Sequence, residues 1–511
     1  MKQMKIKHVL INNYNTIIAF VIIFASGVIL RAYFTPWDIP FRSPDAFLFL
    51  LEAIDYSEGN FEKFNLRFLW PLLLSMIFVI SKFDTIFDLI TITRIITLII
   101  SSLSIFLVYF ISKTYTSKRF ALLAMGIFAI NSAIIENSSF SVREPLMILL
   151  GLVTFYFIIK KDWRLILIAF LISGLTFDVK INGIVVLILT IISCICIRPR
   201  KNAVLIMLVG MGIFLAVSSP YIIQSIENQQ IPFFTHVNES SRIVSEVEIW
   251  PSTQVSGVVT DSSFILKYSA EREIIHILKI SLPFLTIIVP FGIFYVIKNI
   301  NQNSVLLLLG IGITFLIAYP MYFQSAEYRN IIFAVPLLCV LGAIGLEGII
   351  QKKNNQKLII FTILIFSSIL SFIIIDSNYT DKELLLEKNH IAKFIVNNFS
   401  GRMWGDLSTE LIQNISNVKR DRIPGTSNGV YFNEDISVTK SALPINTKED
   451  LVDIIRALKI DYIIIDNFPD NRYPIFEKIF YNESKIDYIK KVYDSENEFK
   501  MIRIKIFQVI N

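Results

Sequence analysis

Apolar residues arrive in long, nearly uninterrupted blocks, and nothing else in the sequence limits the possible folds so strongly. The blocks lie near 14–33, 88–112, 120–136, 145–160, 164–177, 182–197, 202–219, 277–298, 304–323, 331–350 and 357–375. A bilayer core of about 30 Å needs roughly 20 apolar residues per helix. The chain therefore reads as an α-helical polytopic membrane protein of about eleven spans. Composition agrees: of 511 residues, 54% are hydrophobic and only 18% are charged. That balance excludes disorder. Three cysteines, two of them (Cys194 and Cys196) inside an apolar run, exclude a disulfide scaffold or a cysteine-rich metal centre. A net charge of +6 is small for this length and gives no reason to expect a nucleic-acid partner.

Lysine and arginine collect in alternate connectors, and such residues mark the cytoplasmic side. The basic connectors carry Lys113, Lys118 and Arg119, then Lys160, Lys161 and Arg164, then Arg198, Arg200 and Lys201, then Lys298, and finally Lys352, Lys353 and Lys357. Connectors near 137–144, 178–181, 219–276 and 324–330 fall on the other side. The first block follows Lys2, Lys5 and Lys7, as in a signal peptide, but no small-residue cleavage site follows it. It reads as an uncleaved span ending near Arg31-Ala-Tyr-Phe. Residues 67–83 are apolar but short before Lys82, and a crossing there would break the charge alternation. They read as a helix lying on the outer surface or packed in the bundle. The N-terminus is then cytoplasmic and the C-terminus extracytoplasmic. Six Asn-x-Ser/Thr sequons, beginning at Asn137, Asn238, Asn378, Asn398, Asn414 and Asn482, all fall on the outer side.

After about residue 376 charges become frequent. Helix-like stretches (382–399 and 448–458) alternate with strand-like ones (460–466 and 501–507), the pattern of a small α/β domain. The organisation is a transmembrane domain over 1–375, with outer loops at 34–87 and 219–276, followed by an extracytoplasmic α/β domain over 376–511.

The spans are almost free of mid-helix charge, whereas channels and carriers usually place ionisable groups there. Ionisable groups gather instead at outer helix ends: Asp45, Arg67, Glu144, Lys180 and Arg329. A carboxylate can take the proton of an attacking hydroxyl, and cations can neutralise a departing phosphate. Taken singly, each has a plainer reading. Asp45 serves as a helix cap, Arg143-Glu144 as an ion pair at a span end, Lys180 as a headgroup anchor, and Arg329 as the partner of Glu327. No G-x-x-x-x-G-K-[ST] motif is present, so nucleoside-triphosphate chemistry has no support.

The order of these residues resembles the GT-C-type glycosyltransferases, especially the group of protein O-mannosyltransferases, lipid A aminoarabinose transferases and their archaeal relatives. Asp45-Ala46-Phe47 with Leu51-Glu52 resembles the acidic first outer loop of that group. Arg67 through Pro71-Leu72 resembles its Arg-x-x-x-Pro-Leu helix, and Arg94 an arginine of the next span. Ser139 to Pro145 resembles the second acidic motif, and Gly174 to Gly183 the Gly-Leu…Lys-x-x-Gly turn. Ser219-Pro220-Tyr221 and Glu327-Tyr328-Arg329…Pro336 resemble two later elements. The likeness covers roughly 14–350. It departs where the acidic pair is reduced to Asp45-Ala46 and where Tyr328 and Arg329 are transposed. No Trp-Trp-Asp-Tyr-Gly occurs, which speaks against an oligosaccharyltransferase catalytic subunit.

The resemblance implies transfer of a sugar, with inversion, from a polyprenyl-phosphate donor to a hydroxyl on a protein, lipid or glycan acceptor at the outer face. Asp45 would be the general base. Glu144 would shape the site, and Lys180, Arg329 and Arg67 would stabilise the leaving phosphate. The resemblance leaves metal use open: a divalent Mg or Mn ion, if bound, would fall to Asp45 and Glu144. The alternatives are a carrier or flippase of polyprenyl-linked sugars that makes no bond, and a receptor that binds through 376–511.

Overall fold

The computed structural model describes residues 2–37, 44–61, 68–81, 86–197, 200–227, 284–318, 328–350, 355–378 and 382–399. Beyond these it describes 401, 403–405, 419–422, 429–432, 448–467, 474–482, 488–496, 498 and 502–510. Contacts divide the chain into two compact units. One comprises Met1–Thr35, Leu48–Lys82 and Thr91–Asp376; the other comprises Pro36–Phe47, Phe83–Ile90 and Ser377–Asn511.

Among the described residues, the apolar blocks form helices. These are α1 (Lys2–Phe34), α2 (Pro44–Ser57), α3 (Leu69–Ser81), α4 (Ile86–Ser112), α5 (Lys118–Ala129), α6 (Ser132–Ser139), α7 (Glu144–Ile159) and α8 (Trp163–Val179). They continue as α9 (Ile184–Ile197), α10 (Arg200–Val217), α11 (Ser219–Glu227), α12 (Phe284–Lys298), α13 (Gln302–Ala318), α14 (Ala334–Ile350) and α15 (Gln356–Asn378). Among the described residues, three helices are long and apolar enough to cross a membrane: Tyr14–Phe34, Asp88–Ser112 and Gln356–Asp376. A fourth span results if α5 and α6, bent by 47° at their junction, count as one. Most remaining blocks form apolar helices of 10–17 residues, shorter than the full-length spans expected from composition. Apolar side chains on α1 and α15, such as Val21, Ile29, Phe361 and Ile373, stay exposed. In water that surface would be costly; against lipid it is satisfied.

The short apolar run at 67–83 becomes α3, which packs on α8. Its Trp70 and Leu74 are buried while Val79 and Ile80 are exposed, so one face serves the bundle.

Polar side chains hold the bend between α5 and α6. A break in a helix frees backbone groups that lipid cannot satisfy. Here the Arg31 guanidinium, fully buried, donates to the carbonyls of Ala129 (2.8 Å) and Gly27 (2.9 Å) and to the Ser101 hydroxyl (2.9 Å). The Ser371 hydroxyl donates to the Ile130 carbonyl, and the Asn131 side chain accepts from the Ile134 amide to start α6. Arg31 thus acts inside the bundle, three residues before the helix end at Phe34.

The second unit contains a six-stranded sheet in the order β2-β3-β1-β4-β6-β5. Its strands are β1 (Met403–Gly405), β2 (Lys419–Arg422), β3 (Gly429–Phe432), β4 (Tyr462–Asp466), β5 (Ile489–Asp494) and β6 (Ile504–Val509). Only β1 and β4 run parallel; the other neighbours are antiparallel. Helices cover both faces of β4. Ile463 and Ile465 pack with α17 (Lys448–Leu458) and α18 (Pro474–Asn482), while Ile464 packs with Ile391 and Ile395 of α16 (Lys382–Asn398). Burial on both faces explains the unbroken isoleucine run in this strand. The strand expected at 460–466 begins two residues later, and that expected at 501–507 lies at Ile504–Val509.

The sequon asparagine Asn137 is buried, and its side chain donates to the Ala133 carbonyl at 3.0 Å inside α6. Asn398, on α16, is exposed.

Candidate active site

The site grows from one antiparallel helix hairpin. α7 begins with Glu144 followed by Pro145, which suits the first turn because its missing N–H has no helical partner there. A carboxylate at a helix N-terminus also meets the positive end of the helix dipole. Lys161, in the left-handed region at φ 60°, turns the chain, and Asp162 caps α8 by accepting from the Arg164 amide at 2.9 Å. α8 returns alongside α7 and ends at Lys180, an extended residue at the favourable end of that helix for a cation.

The two ends meet. Lys180 Nζ donates to Glu144 Oε1 at 2.7 Å, and the residues are only 7% and 3% exposed. A buried ion pair with so short a contact is a fixed feature, not two loosely solvated ends. Arg143 and Arg329 add their positive charge to the same carboxylate. Among the described residues three cations thus act on one carboxylate, a setting that suits a ligand carrying negative charge. Glu144 Oε2 is buried and makes no hydrogen bond among the described residues.

The backbone after Lys180 is tightly constrained. Residues Ile181–Gly183 form one 3-10 turn, closed by the Gly183 amide donating to the Lys180 carbonyl at 2.8 Å. A Cβ at Gly183 would stand 2.5 Å from the Thr176 carbonyl group and 2.7 Å from the Phe177 nitrogen, both backbone. Only glycine allows this approach, which sets the direction in which Lys180 leaves α8. Asn182 then donates to the Asn330 carbonyl at 3.1 Å, tying this turn to the 3-10 turn Tyr328–Asn330 that carries Arg329. Asn182 Oδ1 and Ser141 Oγ are likewise buried without hydrogen bonds among the described residues, and Ser141 is left-handed at φ 58°.

Glu144, Lys180 and Arg329 are therefore brought together. Asp45 stands in the first turn of α2, half-buried, and belongs to the other compact unit. Arg67 lies outside the described residues, as does Glu327. Arg94 is buried in α4. Arg143 is not the hydrogen-bonded partner of its neighbour Glu144; its guanidinium lies 5.0 Å from the centre of the Phe49 ring on α2. From the sequence Arg143 pairs only with Glu144, and Asn182 and Asp178 have no role of their own. Asp178 is buried at the end of α8 beside Ser218, and an acid closing an apolar helix was the available signal.

The surroundings of Glu144 do not suit a divalent metal. One carboxylate oxygen is engaged by an ammonium group, and two guanidinium groups add further positive charge. Among the described residues no three His, Cys, Asp or Glu side chains lie together.

No protein-family model matches the chain, and no curated protein matches it in sequence. Solved structures do match in fold. The archaeal oligosaccharyltransferase AglB from Archaeoglobus fulgidus, in complex with an inhibitory peptide and a dolichol-phosphate, aligns with a TM-score of 0.57 at 12% identity. The alignment covers 98% of this chain and 74% of that one. The same enzyme in complex with Zn and sulfate aligns with a TM-score of 0.53 at 12% identity, covering 96% and 73%. ArnT from Cupriavidus metallidurans, bound to undecaprenyl phosphate, aligns with a TM-score of 0.52 at 8% identity, covering 95% and 97%. The chain has the fold of these solved structures, in keeping with the order of its motifs, and its described residues include helices long and apolar enough to cross a membrane.

Proposed function

We propose that the protein is a membrane glycosyltransferase that moves a sugar from a polyprenyl-phosphate donor to an acceptor hydroxyl at the outer face. One observation carries this reading: a buried lysine, held at 2.7 Å by a buried glutamate and flanked by two arginines, at a helix end of a GT-C fold. Neighbours of that fold were solved with dolichol-phosphate and undecaprenyl phosphate, ligands with the chemistry this charge balance would accept. The proposed topology keeps eleven crossings, several made by short helices, with the N-terminus cytoplasmic and the second unit outside.

In the reaction, Asp45 takes the proton of the acceptor hydroxyl. The oxygen attacks the anomeric carbon from the side opposite the phosphate, and a new glycosidic bond forms with inversion. The bond between the anomeric carbon and the phosphate oxygen breaks. Polyprenyl phosphate departs with the electron pair, and Lys180 and Arg329 neutralise its added charge, with Arg67 and Arg143 assisting. Glu144 touches neither reacting atom; it orients Lys180. Asp45 is assigned by its place in the first outer loop. No step is routed through a metal.

The test is an assay of the purified full chain with a polyprenyl-phosphate hexose and hydroxyl acceptors, scored for a new glycosidic product. Asp45→Asn should abolish product while leaving insertion intact, and retained turnover would remove Asp45 as the base. Movement of the donor across the bilayer without product would favour the carrier reading.

A further inference from the structure

A cavity lies at the other end of the same hairpin. It measures 960 Å³ and is bordered by the α4–α5, α7–α8 and α12–α13 connectors and the end of α14. α7 is 16 residues long, so the cavity stands about 24 Å along the helix from the Glu144–Lys180 pair. It belongs to a separate site.

The walls are held in place. The Tyr115 hydroxyl donates to the Asn303 carbonyl at 3.0 Å, and the Ser117 amide donates to both Glu347 carboxylate oxygens at 3.1 and 3.2 Å. Lys161 Nζ donates to Gln302 Oε1 at 3.0 Å, and the Tyr295 hydroxyl donates to the Gly348 carbonyl at 2.8 Å. These bonds join segments far apart in sequence, so the cavity is preformed. Two features point to a ligand. The lining is hydroxyl- and amide-rich, with Thr114, Thr116, Asn299 and Asn303 bordering the space beside Lys161. Asn303 Oδ1 makes no hydrogen bond among the described residues.

An acyl chain has no place against such walls, so the occupant is polar. Trp163, exposed just after the connector with Arg164 lying 5.5 Å from its ring, marks the level of a membrane interface. The connectors around the cavity are the basic ones; of the charged residues that line it, Glu347 accepts from the Ser117 amide and Lys161 supplies the cation, and cations between helices at that level bind anionic headgroups. We propose that this cavity binds the headgroup of a phospholipid whose phosphodiester carries a polyol, with Lys161 meeting the phosphate and Asn303 the hydroxyls.

The test uses the full chain, purified in detergent and titrated with phosphatidylglycerol or phosphatidylcholine of matched acyl chains, bound lipid being counted by native mass spectrometry. Phosphatidylglycerol should be preferred about fivefold or more, the effect of one lysine on one anionic lipid. Lys161→Gln and Asn299→Ala should each reduce the preference, and Asn303→Leu should reduce it without unfolding the chain, because the backbone carbonyl that Tyr115 uses is kept. Equal binding of the two lipids, or a preference unchanged in both Lys161→Gln and Asn299→Ala, overturns the proposal. Displacement of the lipid by millimolar glycerol phosphate would show that a soluble phosphate, not a lipid, is the ligand, and would overturn it too.

Discussion

Removing one member of the Glu144–Lys180 pair should not cost the same as removing the other. In Glu144→Gln, the Lys180 ammonium stays buried, loses its carboxylate and keeps the repulsion of Arg143 and Arg329. An uncompensated buried charge costs about 3–5 kcal/mol, and two like charges push the loss toward the upper end. In Lys180→Met, the Glu144 carboxylate keeps the attraction of two guanidinium groups. Its loss is that of one charged hydrogen bond, about 1.5–3 kcal/mol. The double variant Glu144→Gln/Lys180→Met should lose somewhat less than Glu144→Gln alone, about 4 kcal/mol where single losses of about 5 and about 2 kcal/mol couple by about 3 kcal/mol. Unfolding in a fixed detergent, followed as the midpoint for all four forms, measures the cycle. A Lys180→Met protein less stable than Glu144→Gln would refute the view that three cations share one carboxylate. The function of the pair is scored separately: Lys180→Met should weaken apparent donor affinity, and an unchanged value would leave Lys180 as an anchor.

Other outcomes follow from single contacts. Gly183→Ala places a methyl group 2.5 Å from backbone, and should cost about 1–3 kcal/mol while displacing Lys180, seen as a lowered melting midpoint together with weaker donor use. Arg31→Met strips the Ala129 carbonyl of its donor at the α5–α6 break and should destabilise by about 1–3 kcal/mol, while the same change at exposed Arg164 should have little effect. In the second unit, hydrogen bonds and charge from Arg503 hold the Asp494 carboxyl below the usual range. A depressed carboxyl adds stability that is present above its unfolded value near 4 and is lost as pH falls through the folded value. Asp494→Asn should therefore lower stability at pH 7 and by progressively less as pH falls below about 4, and an equal loss at all pH values would exclude the linkage.

Much of the helical unit was legible because lipid leaves so few solutions: apolar blocks must be helices, and their ends carry the polar groups. Glu144, Lys180 and Arg329 stood out for that reason. What stayed hidden depends on which helices are neighbours. Arg143 and Glu144 are adjacent in sequence, yet only the return of α8 shows that the close partner is Lys180. Arg31 read as a helix end, because nothing local shows that its guanidinium reaches a carbonyl 98 residues away. Asn137 read as a surface sequon, because a three-residue motif carries no measure of burial. In the second unit, β4 was visible from its isoleucines. β1, β2 and β3 are strands of three or four residues with no clear alternation, too short for a period to register.

The length of α7 and α8 has a consequence for the surrounding lipid. At 16 and 17 residues they reach only about 24–26 Å, while a relaxed hydrocarbon layer is about 30 Å thick. If the two helices cross as proposed, the bilayer beside this hairpin would thin, and the thinning would bring headgroups from both leaflets inward. A phosphate on a membrane-anchored substrate would then sink to the depth of Lys180 without its tail being drawn out of the oil.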